Sequence, residues 1–279
     1  MNRYLMKTTL LTLTAGLAWF GYTQVFAPQY EQPVIDPSEL PAPTATVLDF
    51  QPMTRPLLQE YTSTGCPGCG SWGKPTFMEL AAKHGNAITA LSLHIKYRDP
   101  MITVESEALG DNRFGALFTP QIWVDGENAV LISNGGIDPG SAKHASQLIE
   151  RQRAQQQPMV AAKASAKDRT LEVSYGASFQ HLTPEGEYAL ACYLVENGIV
   201  YKQAGHAANP ATHHHVLRAS AEGTFGTPFT KAQLDADARL LKRHVFALTA
   251  EQRPENVHAV VVLWQRSNGR WLALNSVRS

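Results

Sequence analysis

Residues 57–70 of the 279-residue chain, LLQEYTSTGCPGCG, read as an apolar strand (Leu57, Leu58, Tyr61), a Thr/Ser/Gly loop and a helix opened by Cys66-Pro67-Gly68-Cys69. Pro67 suits the first helical position, because its fixed φ is already helical and its missing N–H would be unpaired there anyway. That puts Cys66 at the helix N-cap, where unpaired N–H groups and the positive end of the dipole stabilise a thiolate. Cys69 lies one turn on, within reach of a disulfide back to Cys66. A Cys-x-x-Cys pair between strand and helix is either a redox couple or half of a metal site. Four-cysteine zinc needs a second pair, and the only other cysteine is Cys192, so the redox reading is favoured.

Composition removes several other classes. With 24 Lys+Arg against 24 Asp+Glu, no bulk field draws the chain to nucleic acid or an anionic membrane. Three cysteines are too few for a disulfide-stapled scaffold. No phosphate loop, nucleotide fingerprint, HExxH or serine elbow occurs, and no cofactor is expected.

At the N-terminus, Arg3 and Lys7 precede an apolar run over residues 10–21, and Val25-Phe26-Ala27 offers the small residues a signal peptidase uses. Pro28 hinders cleavage directly after Ala27, so residues 1–27 read as a signal peptide or an uncleaved anchor. The run is shorter than the roughly 20 residues of a full span. Pro28, Pro33, Pro37, Pro41 and Pro43 make residues 28–44 an extended tether. A periplasmic or secreted location follows, with inner-membrane contact only through a retained anchor.

Beyond Cys69, Pro75 is expected to kink the helix, after which Phe77, Leu80, Ala81 and His84 share one face and Gly85 stops it. Residues 87–95 read as a buried strand and residues 105–118 as a helix. Pro120 then leads into a strand that Asp125-Gly126 turns into another over residues 128–132. A helix over residues 140–156 closes the unit. This order of elements predicts a thioredoxin-like three-layer α/β sandwich over residues 45–157.

Three segments carry a resemblance. EYTSTGCPGC, LSLHIKYRDP and FTPQIWVDG are similar to the ELFTSQGCxxC, LxxHVDYWD and YTPQxxVxG of a family of uncharacterised secreted bacterial proteins. The second half resembles that family and a related group of outer-membrane proteins through Glu196-Asn197-Gly198 and residues 212–218. The likeness implies the thioredoxin-like fold, with Glu60 as a buried acid that moves protons for Cys69. It also implies a cis bond at Thr119-Pro120 facing the cysteines, with the Thr119 backbone free to pair with a substrate chain. The chain departs from the family at Tyr97-Arg98-Asp99, so no role of a tryptophan carries over there.

After Pro158 the apolar period shifts towards two. Asp168-Arg169, Asn197-Gly198 and Asn268-Gly269 each stand between strand-like runs and read as hairpin turns. Residues 231–248 read as a short helix followed by a strand. Residues 158–279 are accordingly expected to form an immunoglobulin-like β-sandwich.

Cys66 is thus the expected nucleophile and Cys69 the resolving thiol, exchanging disulfides with an exported protein substrate or redox partner. Trp72 could line the mouth of the site, whereas Trp123, Trp264 and Trp271 read as core. Cys192 reads as a buried strand thiol, since its surroundings (EYALACYLV) are apolar. The other class of function is a non-catalytic envelope binder holding Cu(I) through Cys66, Cys69 and His94, a soft N/S set. His206 and the His213-His214-His215 run extend that metal hypothesis. Adjacent strand histidines alternate faces, however, so no more than two of the three can converge.

Overall fold

All six residues of β1 (Leu57–Thr62) are buried, because both edges and both faces of the strand are covered. The structure, a computed structural model, describes residues 47–96, 98–112, 118–130, 132–133, 136–138, 140–180, 182 and 185–279, all within one compact unit. The expected leader and tether, and Tyr97, lie outside the described residues. From β1 the chain enters a helical turn at Pro67 and continues as α1 (Lys74–His84), then β2 (Thr89–His94), α2 (Val104–Asp111), β3 (Gln121–Val124) and β4 (Glu127–Asn128). Two-residue strands β5 (Ile132–Ser133) and β6 (Gly136–Ile137) precede α3 (Ser141–Arg153).

β1 pairs in parallel with β2 and antiparallel with β3. Its alternation separates two cores. Leu58 packs with Phe77 and Leu80 of α1 and with Leu148 and Ile149 of α3, whereas Leu57 and Tyr61 face the opposite way, towards Leu109 of α2. The kink expected at Pro75 is realised just upstream as a π-helical turn, Cys69–Gly73. Proline cannot donate to Ser71 and crowds its carbonyl, and a wider turn relieves both conflicts. Helix α2 starts on a capping box, with Thr103 Oγ1 accepting from Ser106 N–H and Ser106 Oγ from Thr103 N–H. It ends at Asp111, short of the expected residue 118, and residues 113–117 lie outside the described residues. Of the strand expected over 128–132, Asn128 lies in β4 and Ile132 in β5, and residue 131 lies outside the described residues.

The second half contributes β7 (Met159–Lys167), β8 (Thr170–Ser178), β9 (Tyr188–Glu196), β10 (Ile199–Tyr201), β11 (Ala211–His213), β12 (Val216–Ser220), β13 (Pro228–Phe229), β14 (Arg239–Ala247), β15 (Val257–Ser267) and β16 (Arg270–Arg278). The turns at Asp168-Arg169 and Asn268-Gly269 do join paired strands. At residues 230–233 a capping box and a short 3-10 turn lead into β14, the expected helix-then-strand order. The hairpin expected at Asn197-Gly198 does not form. β9 is already flanked by β12 and β15, so β10 leaves the sheet and pairs with β11.

Strands β14, β8 and β7 make one layer, facing β9 and β15 across a core that includes Val173, Tyr175, Leu190, Cys192 and Val261. The layer holding β9 and β15 does not end at its own edge. β12 pairs in parallel with β2 through Val216 and Ser92, and Ser92 N–H donates to His215 O at 2.7 Å. One mixed sheet therefore runs β16-β15-β9-β12-β2-β1-β3-β4. The molecule is a mixed α/β fold built on that sheet. The boundary expected at Pro158 falls between two stretches that share it, along with a core joining Leu91 and Leu93 to Tyr193 and Val262.

Candidate thiol site

The end of β1 delivers the chain to the site. Cys66 N–H donates to Ser63 O, and Gly70 N–H donates to Cys66 O at 3.3 Å, so Cys66 caps the helical turn. Its sulfur accepts from the Cys69 N–H at 3.2 Å, one of the donors a helix start leaves without an internal partner. The Cys66 thiol itself lies 3.5 Å from the Thr119 carbonyl. Both thiols are free; Cys66 is half-buried and Cys69 is fully buried. Burial, with the hydrogen bond to Cys66, pushes the Cys69 thiol up, and Thr119 and Thr62 offset this only in part. One cysteine is partly open to solvent and the other is sealed.

Pro120 covers the pair from the side of β3. The Thr119–Pro120 peptide is cis, and the proline ring lies so close to the helix that a Cβ at Gly73 would fall 2.5 Å from it. Trp72 is half-buried against the α1–α3 core, with its indole beside Gly68. Glu60 shares the face of Leu58, so its carboxylate points under the helix, with Oε1 beside Gly73. Oε2 accepts from Ser92 Oγ at 3.1 Å, while Oε1 has no hydrogen-bond partner. Burial raises the Glu60 pKa, against the pull of His94, Lys74 and Ser92. Cys66, Cys69, Glu60, Thr119, Pro120 and Trp72 thus come from three chain segments and meet at one helix start.

His94 takes another place. Its Nδ1 lies 3.0 Å from Asp99 Oδ2, with both side chains fully buried. Asp99 also accepts from the Thr64 N–H at 2.6 Å and the Met101 N–H at 3.0 Å. Burial alone would raise its pKa, but His94 and these N–H groups hold it down to about 2. The His94 ring faces His213 at 5.6 Å. Burial, then Lys74 and His94, lowers the His213 pKa to about 3. His215 turns towards Phe77, and the His206 Nδ1 is bound to its own loop at Ala208. Only His94 and His213 approach one another, while His206 and His215 turn elsewhere. Among the described residues no three His, Cys, Asp or Glu side chains gather to hold a metal ion, so the set Cys66, Cys69, His94 is not assembled.

Sequence reasoning missed three members of this region. Lys74 is buried, its pKa lowered by burial and partly restored by Glu60. Its place three residues before Phe77, on the inner helix face, was a usable signal. Asp99 matches the last acid of the quoted family pattern and had a usable signal, since an acid five residues after a buried histidine can fix its tautomer. Gln203, buried against the Ser63–Cys66 loop from the second half, had no local signal. A separate cavity of about 450 Å³, lined by Arg55, Thr89, His215 and Arg278, includes neither sulfur.

No family model and no curated sequence matches the chain. Among solved structures, HBP35 of Porphyromonas gingivalis superposes with a TM-score of 0.61 at 14% identity, over 83% of this chain and 76% of that one. A domain of the outer membrane lipoprotein Omp28 from the same organism gives 0.31 at 15% identity, over 44% of this chain and 85% of that one. The first likeness is one of fold alone, and the second is too low to carry an argument.

Proposed function

We propose that the chain is an exported thiol–disulfide oxidoreductase that exchanges disulfides with a cell-envelope protein through Cys66 and Cys69. Its parts are a thioredoxin-like layer over residues 45–157 and an immunoglobulin-like sandwich over residues 158–279, fused through the shared sheet. One observation carries the reading: a reachable sulfur accepts an N–H at a helix start while its partner thiol is sealed beneath it. Export rests on Arg3, Lys7 and the apolar run that follows. No helix among the described residues is long and apolar enough to cross a membrane.

In the reducing direction the Cys66 thiolate attacks one sulfur of the substrate disulfide and expels the other as a thiolate, leaving a mixed disulfide. Cys69 then loses its proton to the Glu60 carboxylate, which burial makes a better base than an exposed one. The Cys69 thiolate attacks Cys66 Sγ, forms the internal disulfide and releases the second substrate thiolate. Two protein thiols are oxidised as one substrate disulfide is reduced, and the reverse sequence oxidises a dithiol. The Thr119 backbone, beside Cys66, is placed to pair with an extended substrate.

Equilibration of the purified chain with a reduced/oxidised glutathione series tests the reading. A Cys66–Cys69 disulfide that forms reversibly, together with turnover of insulin disulfides, is the expected result. Failure to form that disulfide, or stoichiometric Cu(I) uptake lost in the Cys66→Ser/Cys69→Ser variant, would replace it with the binding role.

A further inference from the structure

The second half does more than share a sheet with the thiol site. Gln203 follows β10 and is 1% exposed. Its Nε2 donates towards the carbonyls of Ser63 at 3.1 Å, Cys66 at 3.3 Å and Thr64 at 3.4 Å, with Ala204 O also at 3.3 Å. Next to it, Ala204 N–H donates to Thr64 O at 2.8 Å. The Gln203 backbone is held in turn, its N–H donating to Asn209 Oδ1 at 3.3 Å.

Packing makes the contact tight. A Cβ at Gly70 would fall 2.1 Å from Ala204 O, and one at Gly205 would fall 2.2 Å from Pro67 O. The two backbones touch with no room for a side chain at either position. The Cys66 loop has left β1 and no sheet neighbour receives its carbonyls, so their donors must come from outside the strand ladder. A primary amide suits the task, offering two N–H groups without adding charge beside the sulfur.

We propose that Gln203 is a positioning residue for Cys66, holding residues 63–66 so that Sγ stays within reach of the Cys69 N–H. Its consequence for exchange rests on the oxidoreductase reading; the positioning itself does not. Gln203→Met keeps the volume and removes both donors. The loosened loop lets the sulfur drift from its N–H, so Cys66 becomes a poorer nucleophile without any change to the cysteines.

The test is the rate of Cys66 alkylation by iodoacetamide at pH 7, followed by mass spectrometry on the full chain. The Cys66–Cys69 equilibrium with glutathione is measured beside it. Gln203→Met should alkylate about threefold to tenfold more slowly, the effect of losing roughly one hydrogen bond, and its equilibrium should move by a similar factor towards the disulfide. Gly205→Ala, which pushes the loop off Pro67, should act in the same direction and serves if Gln203→Met does not fold. Thr212→Ala, exposed on neighbouring β11, should match the parent. Alkylation at or above the parent rate in the folded variants overturns the proposal. If the parent forms no Cys66–Cys69 disulfide, the oxidoreductase reading fails, while the alkylation rates still decide the role of Gln203.

Discussion

Strands β1 and β9 lie in one sheet and are both buried on both faces, yet they are made of opposite materials. β9 is apolar until Glu196, with Leu190, Cys192 and Leu194 facing one core and Ala191, Tyr193 and Val195 the other. β1 buries Gln59, Glu60 and Thr62 among its six residues, and its neighbour β2 buries Thr89, Ser92 and His94. Burying polar groups costs about 1–3 kcal/mol each when they are left unpaired, so a strand that does so needs a compensating network or a function. Of these, Glu60, Thr62, Ser92 and His94 share the face of Leu58, towards the helix that begins at the cysteines, whereas Gln59 and Thr89 lie on the face of Leu57 and Tyr61. The two buried thiols differ as well: Cys69 has a second sulfur beside it, whereas Cys192 has a β-sandwich core around it.

That contrast is most easily broken by its largest expected effect. Cys66→Ser should reduce insulin-disulfide turnover by about a thousandfold or more, since it removes the sulfur proposed to attack the substrate. Residual turnover above about a tenth of the parent would mean that another sulfur does the chemistry.

Next in size is the buried His94–Asp99 hydrogen bond on the polar side of the contrast. Asp99→Ala leaves His94 buried without its partner and frees the Thr64 N–H, and should cost about 3 kcal/mol in urea unfolding. The folded pKa of Asp99 is depressed to about 2, below its unfolded value of about 3.9. Its contribution is therefore fully present above about pH 4 and is lost as pH falls towards 2. The parent should lose more stability than the variant across that window. Parallel curves would show that the pair is held by the fold without supporting it.

Glu60→Gln should have a smaller effect. It removes the base proposed for Cys69 without changing shape, and should slow resolution of the mixed disulfide about tenfold near pH 7, as read by stopped-flow. Burial raises the Glu60 pKa, so the native state holds that proton more tightly than the unfolded chain does. The stability this gives is present below the unfolded carboxylate pKa and is lost as pH rises through the folded one. The glutamine variant should therefore gain on the parent as pH increases above about 5.

How much of this could be read beforehand depends on how local each signal was. Cys66, Pro67 and Cys69 announce a capped helix within four residues, and Asn268-Gly269 announces a hairpin within two. The face taken by Glu60 was open, because alternation shows that Leu58 and Glu60 agree but not which side carries the helix. Asn197-Gly198 misled for a different reason. A turn signal describes chain direction, and here the positions beside β9 went to β12 and β15, which lie further along the sequence. Gln203 reaches Ser63 across 140 residues, and the sheet junction at Val216 and Ser92 spans a similar distance, so neither leaves a periodic trace. The mixed α/β class was readable from element order; the fusion of its two halves was not.

The smallest effect sharpens the comparison from the other side. Cys192 lies opposite Val261 on β15 and packs in the core with Tyr175, and burial raises its thiol pKa far above the usual range. A protonated, sealed sulfur with no second thiol beside it can act only as a small apolar group. Cys192→Ala should then cost about 1 kcal/mol of stability, the loss expected for one small buried group. Disulfide exchange should stay within about twofold of the parent, because β9 pairs with β12, β13 and β15 and contributes none of the residues around Cys66 and Cys69. If this substitution slowed exchange as much as Glu60→Gln, β9 would belong to the chemistry, and a buried polar strand would no longer distinguish the working part of the sheet from its support.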